Sequence, residues 1–125
     1  MRLLGERVAI QTLSRAERLR GRNCFDALFA RGNVGKGRWV LVRALANGLP
    51  ISRLAAVAGK TAGNAVKRNR LRRRIRAAFR MAKETLPRGW DYAVVARSGA
   101  DTAAFAALRD DLARAVLRAA GMDSR

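Results

Sequence analysis

The residues of this chain that could do chemistry are almost all cations. Histidine is absent and Cys24 is the one cysteine. That excludes zinc sites of Cys/His spacing, disulfides within the chain, and Cys-His or Ser-His nucleophilic pairs. The acids are Glu6, Glu17, Asp26, Glu84, Asp91, Asp101, Asp110, Asp111 and Asp123. Only Asp110 and Asp111 are adjacent, and consecutive helical residues do not face each other; both are expected on a solvated helix face. No protein-borne active site can be assembled from this set, so any reaction the chain assists draws its catalytic group from elsewhere. What the chain does carry is a run of donors: Gly63-Asn64-Ala65-Val66-Lys67-Arg68-Asn69-Arg70, continuing Leu71-Arg72-Arg73-Arg74-Ile75-Arg76-Ala77-Ala78-Phe79-Arg80. An arginine presents a planar fork matched to phosphate oxygens and stays charged. Asn69 both donates and accepts, which suits a base edge, a ribose hydroxyl or a neighbouring side chain.

Composition points the same way. Twenty-seven Lys and Arg stand against nine Asp and Glu, a net charge of +18 with a pI near 12.0 in 125 residues. Like charge at this density opposes compaction unless a polyanion neutralises it, and nucleic acid is the default polyanion because basic side chains displace its condensed counterions. A membrane surface is the runner-up. No apolar run approaches the ~20 residues of a transmembrane helix, and Gly5, Glu6 and Arg7 interrupt the start too early for a secretory signal. The expectation is a soluble, cytoplasmic protein with no membrane partner.

The elements that must position these residues follow from periodicity. Residues 1–14 carry no pattern and are expected to be a poorly ordered extension, 15–121 the domain, and 122–125 a tail. Arg22–Arg31 reads as a short helix, with Phe25, Leu28 and Phe29 at spacings of three and four and Gly32 as its stop. Residues 32–37 read as a turn-rich stretch. Trp39 to Leu45 is a β-favouring run, Asn47-Gly48-Leu49-Pro50 a turn, and Arg53 to Ala58 a second strand expected to pair with the first as an antiparallel hairpin. Asn64 to Glu84 is a helix whose stripe is Leu71, Ile75, Ala78, Phe79 and Ala82. Tyr92 to Ala96, apolar on both faces, is expected at the centre of the sheet. Asp101 or Thr102 can cap a last helix with the stripe Phe105, Leu108, Leu112, Val116 and Ala119, and Gly121 as its stop. Trp39 and Trp90 suit core or sheet-edge positions. The expected fold class is α+β, a sheet of about four strands packed by three helices in the order α-β-β-β-α-β-α.

The segment from Gly63 to Arg80 closely resembles the signature of the bacterial ribonuclease P protein, in which an Arg-Asn-Arg triplet (here Arg68-Asn69-Arg70) opens a basic helix. Other residues agree in order: Arg18-Leu19, then Phe25 and Phe29, Gly32, Arg38, and Gly89-Trp90-Asp91-Tyr92-Ala93-Val94-Val95-Ala96-Arg97. The likeness spans about Arg15 to Gly121. It implies a left-handed β-α-β crossover, against the usual right-handed rule. It also implies a protein subunit that assists RNA-catalysed endonucleolytic removal of the leader from precursor tRNA, with ribonuclease P RNA and precursor tRNA as partners. In that reading no cofactor is bound by the protein alone, and Mg2+ held by the RNA activates water.

The resemblance assigns catalytic-RNA binding to Lys67, Arg68, Asn69, Arg70, Arg72, Arg73, Arg74 and Arg76. It assigns a leader-binding cleft to Phe25, Phe29, Arg38, Arg43, Lys60 and Asn64. Aromatic faces can stack on unpaired bases at about 1–3 kcal/mol per base, although a phenylalanine at helical spacing is ordinarily core. The chain departs from the family at Arg43, where an aromatic is usual, and at Gly59-Lys60-Thr61, where Ser-Lys-Lys is usual. Both departures bear on the leader side. A solvated basic face is the bland alternative for the helix, but with so few acids for i,i+4 pairing it would repel itself. A generic RNA-binding module, such as a ribosomal protein or RNA chaperone, fits the composition equally well. It does not account for the signature helix together with the upstream phenylalanines. DNA binding is not expected, because no helix-turn-helix pattern is visible, and a self-sufficient nuclease lacks its histidines or clustered carboxylates.

Overall fold

The computed structural model describes residues 17–19 and 22–121. The expected extension at 1–14 and tail at 122–125 lie outside the described residues. The order is α1 (Arg22–Arg31), β1 (Asn33–Lys36), β2 (Val40–Ala46), β3 (Arg53–Val57), α2 (Ala65–Ala82), β4 (Trp90–Ala96) and α3 (Phe105–Ala119), with one-turn 3-10 helices at Lys60–Ala62 and Lys83–Thr85. This is the α+β order expected from the sequence.

The sheet runs β1-β2-β4-β3. β2 pairs antiparallel with β1 and β4, whereas β3 pairs with β4 in parallel. The expected β2–β3 hairpin is therefore not formed: β4 inserts between them, and the main-chain N–H of Asn47 bonds the carbonyl of Gly89 at 2.8 Å. β4 is central, as its apolar run suggests. The stretch 32–37 is mainly a strand, β1, in place of the expected turn. Its glycines serve packing: a Cβ on Gly35 would come within 2.1 Å of the Ala115 carbonyl oxygen, so α3 lies directly on the backbone of β1.

Period-two alternation divides the sheet into two faces. Val40, Val42 and Ala44 of β2, Tyr92 and Val94 of β4, and Leu54 of β3 face α2 and α3. All five residues of the α2 stripe are buried there. Four of the five in α3 are buried as well, with Phe105 half-buried at the margin. Asn64 caps α2, its side-chain oxygen accepting from the Lys67 N–H at 3.0 Å. The expected cap of α3 by Asp101 or Thr102 is absent; Ala104 occupies that position with no side-chain bond. The preceding loop is held instead by Arg74, which donates to the carbonyls of Ala100 and Ala103. α1 covers part of the other face, where Leu19, Leu28, Ala55 and Ala93 form a small second core with Phe25 and Leu45.

Candidate RNA interface

α2 carries its cations on the sides its stripe leaves exposed. Lys67, Asn69, Arg70 and Arg73 are exposed; Arg68, Arg72, Arg74 and Arg76 are half-buried. The latter group has separate surroundings. Arg72 donates to the Asn69 side-chain oxygen one turn back, joining two signature residues. Arg74 is committed to the loop before α3. Arg76 turns toward Arg18, and burial first, then the charges of Arg18 and Arg72, lowers its pKa from the ordinary guanidinium value. Lys67 lies 3.8 Å from Asp101, a long and exposed pair of small energetic weight. Of the eight residues expected to bind the catalytic RNA, Lys67, Asn69, Arg70 and Arg73 are thus presented outward, while Arg74 already has a structural task.

The uncovered sheet face forms a trough. Register places Leu41, Val95 and Val57 in one row and Arg43, Ala93 and Ala55 in the next. The first row is half-buried, and the small side chains of Ala93 and Ala55 keep the floor low. Phe25 and Phe29 stack along α1, with centroids 6.2 Å apart and planes at 9°. Phe25 packs into the second core, whereas Phe29 is 41% exposed. The two readings of these phenylalanines divide between them: Phe25 is largely core and Phe29 is wall. Arg43 lays its guanidinium over the Phe29 ring, 5.2 Å from the centroid, and donates to the Phe29 carbonyl at 3.3 Å. At the β3 edge a cavity of about 270 Å3 runs from Phe25 past Ala55 to Arg18 and Arg76.

The other residues expected in the cleft stand on elements other than α1. Lys60 lies in the 3-10 turn that follows β3, and Asn64 caps α2. Arg38 sits in the β1–β2 turn, its main-chain N–H bonded to Asp111 of α3 on the opposite face.

Two carboxylates matter more than the sequence reading allowed. Asp111 is 4% exposed, not solvated, and accepts the main-chain N–H groups of Arg38 and Trp39 at 2.8 Å each. Its signal was present: it falls three residues after Leu108 and four before Ala115, inside the apolar stripe. Asp91, also buried, takes both its oxygens to Arg53 at 2.8 Å and accepts from Asn47 at 2.9 Å, locking β4 to β3 and to the β2–β3 loop. Among the described residues no cluster of metal-ligating side chains could hold a metal ion, and no helix is long and apolar enough to cross a membrane.

An α+β scaffold with an outward arginine helix on one side and an aromatic-walled trough on the other defines a small polyanion-binding domain suited to single-stranded nucleic acid. The profile of the family described as Ribonuclease P matches residues 13–120. The chain is 37% identical over 87 residues to the ribonuclease P protein component of Thermotoga petrophila, covering 70% of this chain and 74% of that one. It is 47% identical over 88 residues to that of Pseudomonas aeruginosa, covering 68% and 64%. The solved ribonuclease P protein of Thermotoga maritima superposes with a TM-score of 0.75 at 32% identity, over 82% of this chain and 96% of that one. This chain belongs to the ribonuclease P protein family, the protein subunits of a ribonucleoprotein endoribonuclease.

Proposed function

We propose that the chain binds ribonuclease P RNA through the outward face of α2 and holds the single-stranded leader of precursor tRNA in the trough beside α1. The observation that carries this reading is the division of α2. Its buried stripe is fully used against the sheet and α3, so Lys67, Asn69, Arg70 and Arg73 are left to solvent with, among the described residues, one weak ion pair. A helix of that kind lowers its own repulsion by docking on phosphate.

On the leader side, Phe29 and Arg43 form a composite platform, a ring with a guanidinium already on it. A base can stack on such a pair, and Arg43 keeps donors for a phosphate or a base edge. Hydrolysis in this scheme uses Mg2+ held by the RNA; the protein contributes position and charge. The work is cytoplasmic, where precursor tRNA is made.

The test is cleavage of a precursor tRNA by bacterial ribonuclease P RNA at low magnesium, with and without the purified protein. The reading expects accurate cleavage to be restored by the protein and the rescue to weaken for Arg70→Ala with Arg73→Ala. RNA binding without rescue would refute it in favour of a generic RNA-binding module.

A further inference from the structure

We propose that the β1–β2 turn is a second docking surface for the same RNA, adjoining α2 and separate from the trough. This rests on the reading of α2 as the RNA dock.

The turn is tied down from several sides for a loop of three residues, Gly37, Arg38 and Trp39. Asp111, buried, accepts the main-chain N–H groups of Arg38 and Trp39. Gly37 leaves room for that carboxylate, since a Cβ there would sit 2.5 Å from an Asp111 oxygen. Arg97 donates to the Gly37 carbonyl and Arg118 to that of Lys36. Trp39 returns its carbonyl to the Arg97 N–H at 2.8 Å and packs against Gly99, which has φ +90. The backbone is thereby fixed from α3, from β4 and from the loop after it.

What this fixed turn presents is positive charge. Lys36, Arg38 and Arg97 are exposed, and the Arg38 guanidinium lies over the Trp39 indole, 5.1 Å from the centroid. A guanidinium held over a ring keeps its N–H donors for phosphate oxygens. The acid at the centre, Asp111, is buried and its oxygens are committed to the turn. The surface is also continuous with α2: Arg97 and Lys67 line one polar cavity of about 370 Å3 with Ser98 and Asp101. Cations therefore run from the first turn of α2 through Arg97 to Arg38 and Lys36. RNA docked on α2 can continue along this edge without entering the trough. A structured RNA backbone is the occupant that fits, because the surface offers charge and planar donors with no apolar recess.

The test measures affinity for ribonuclease P RNA over a range of salt concentrations for wild type, Lys36→Ala with Arg38→Ala, and Arg70→Ala with Arg73→Ala. Matching thermal melts establish that the variants fold. Each phosphate contact contributes about 0.7–0.9 to the slope of log K against log salt. The turn variant is expected to lower that slope by about 1.5 and to leave leader-dependent affinity of the assembled holoenzyme for precursor tRNA unchanged. An unchanged slope in the turn variant, with a reduced one in the α2 variant, overturns the second surface and leaves the α2 reading intact. A loss confined to leader-dependent affinity also overturns it, by assigning the turn to substrate. A reduced slope in the turn variant alone refutes the α2 dock, and with it a second surface that adjoins α2.

Discussion

Asp110 and Asp111 are adjacent, identical in type and on one helix, yet the structure predicts opposite consequences for removing them. Asp111→Ala strips the acceptors from two main-chain N–H groups, each bonded at 2.8 Å. An orphaned, partly buried donor costs about 1–3 kcal/mol. Arg38 is at the surface, where water can replace some of the loss, so the pair sums to about 2–4 kcal/mol. Asp110 is exposed, 3.4 Å from Arg109, and its removal should change stability by less than about 0.5 kcal/mol. Taking the difference between the two variants cancels what they share, namely the better helix propensity of alanine and the loss of one negative charge from a +18 chain. Thermal unfolding followed by circular dichroism suffices: for a domain of this size about 2 kcal/mol lowers Tm by roughly 6–10 °C. Asp111→Asn keeps one acceptor oxygen and should fall between. Equal melting of the two alanine variants would refute the claim that Asp111 holds the turn.

Four further outcomes are expected. Gly35→Ala should destabilise the fold by about 3 kcal/mol in urea titration, because the added methyl meets the main chain of α3. Phe29→Ala should cost less than about 1 kcal/mol of stability, since the ring is 41% exposed. Its affinity for precursor tRNA with a leader, relative to leaderless substrate, should nonetheless fall by about 1–3 kcal/mol. Arg74→Ala should lower stability, measured by denaturant midpoint, through the loop carbonyls it leaves unpaired, whereas Arg73→Ala should lower RNA affinity at unchanged stability. Burial raises the Tyr92 pKa above the ordinary phenol value against an opposing Ser52 hydrogen bond, so the folded state favours the protonated phenol. Its stabilising effect is therefore whole below about pH 10 and declines above it as the unfolded chain ionises. Tyr92→Phe should lose about 1 kcal/mol at neutral pH with the 2.8 Å bond to the Pro87 carbonyl, but show a shallower alkaline decline in urea midpoints.

The parts of the fold that were legible in the sequence are those written in local periodicity. Leu71, Ile75, Ala78, Phe79 and Ala82 recur at helical spacing and all five are buried; Tyr92 to Val94 are apolar on both faces, and β4 is central. The parts that were not legible depend on distant partners. The turn at 47–50 suggests a hairpin, and nothing near it announces that β4, some forty residues on, separates β2 from β3. Gly35 and Gly37 look like turn residues; one is small because Ala115 lies on it, the other because Asp111 does. In the candidate site, Phe29 and Arg43 were both named from the sequence, and the structure stacks one on the other. Arg38 enters the cleft only through the family resemblance; the structure shows its main chain tied to α3, a bond between residues 73 apart that no local pattern announces. Asp111 could have been separated from Asp110 by the same periodicity that identified the helix, because a carboxylate inside an apolar stripe needs donors.

Scarcity of acids explains how this protein holds its loops. With few carboxylates for ion pairs, guanidinium groups are bonded to main-chain carbonyls: Arg43 to Phe29, Arg74 to Ala100 and Ala103, Arg97 to Gly37, Arg118 to Lys36. A carbonyl accepts a hydrogen bond without cancelling the charge of its donor, and a guanidinium has five N–H groups to distribute. An arginine can thus tie down a loop and still face phosphate as a full cation, which a salt-bridged arginine cannot do as well. In the proposed reading Arg43 and Arg97 serve both as scaffold and as RNA surface. The net charge of +18 is thereby compatible with an ordered fold while its field stays available to the RNA.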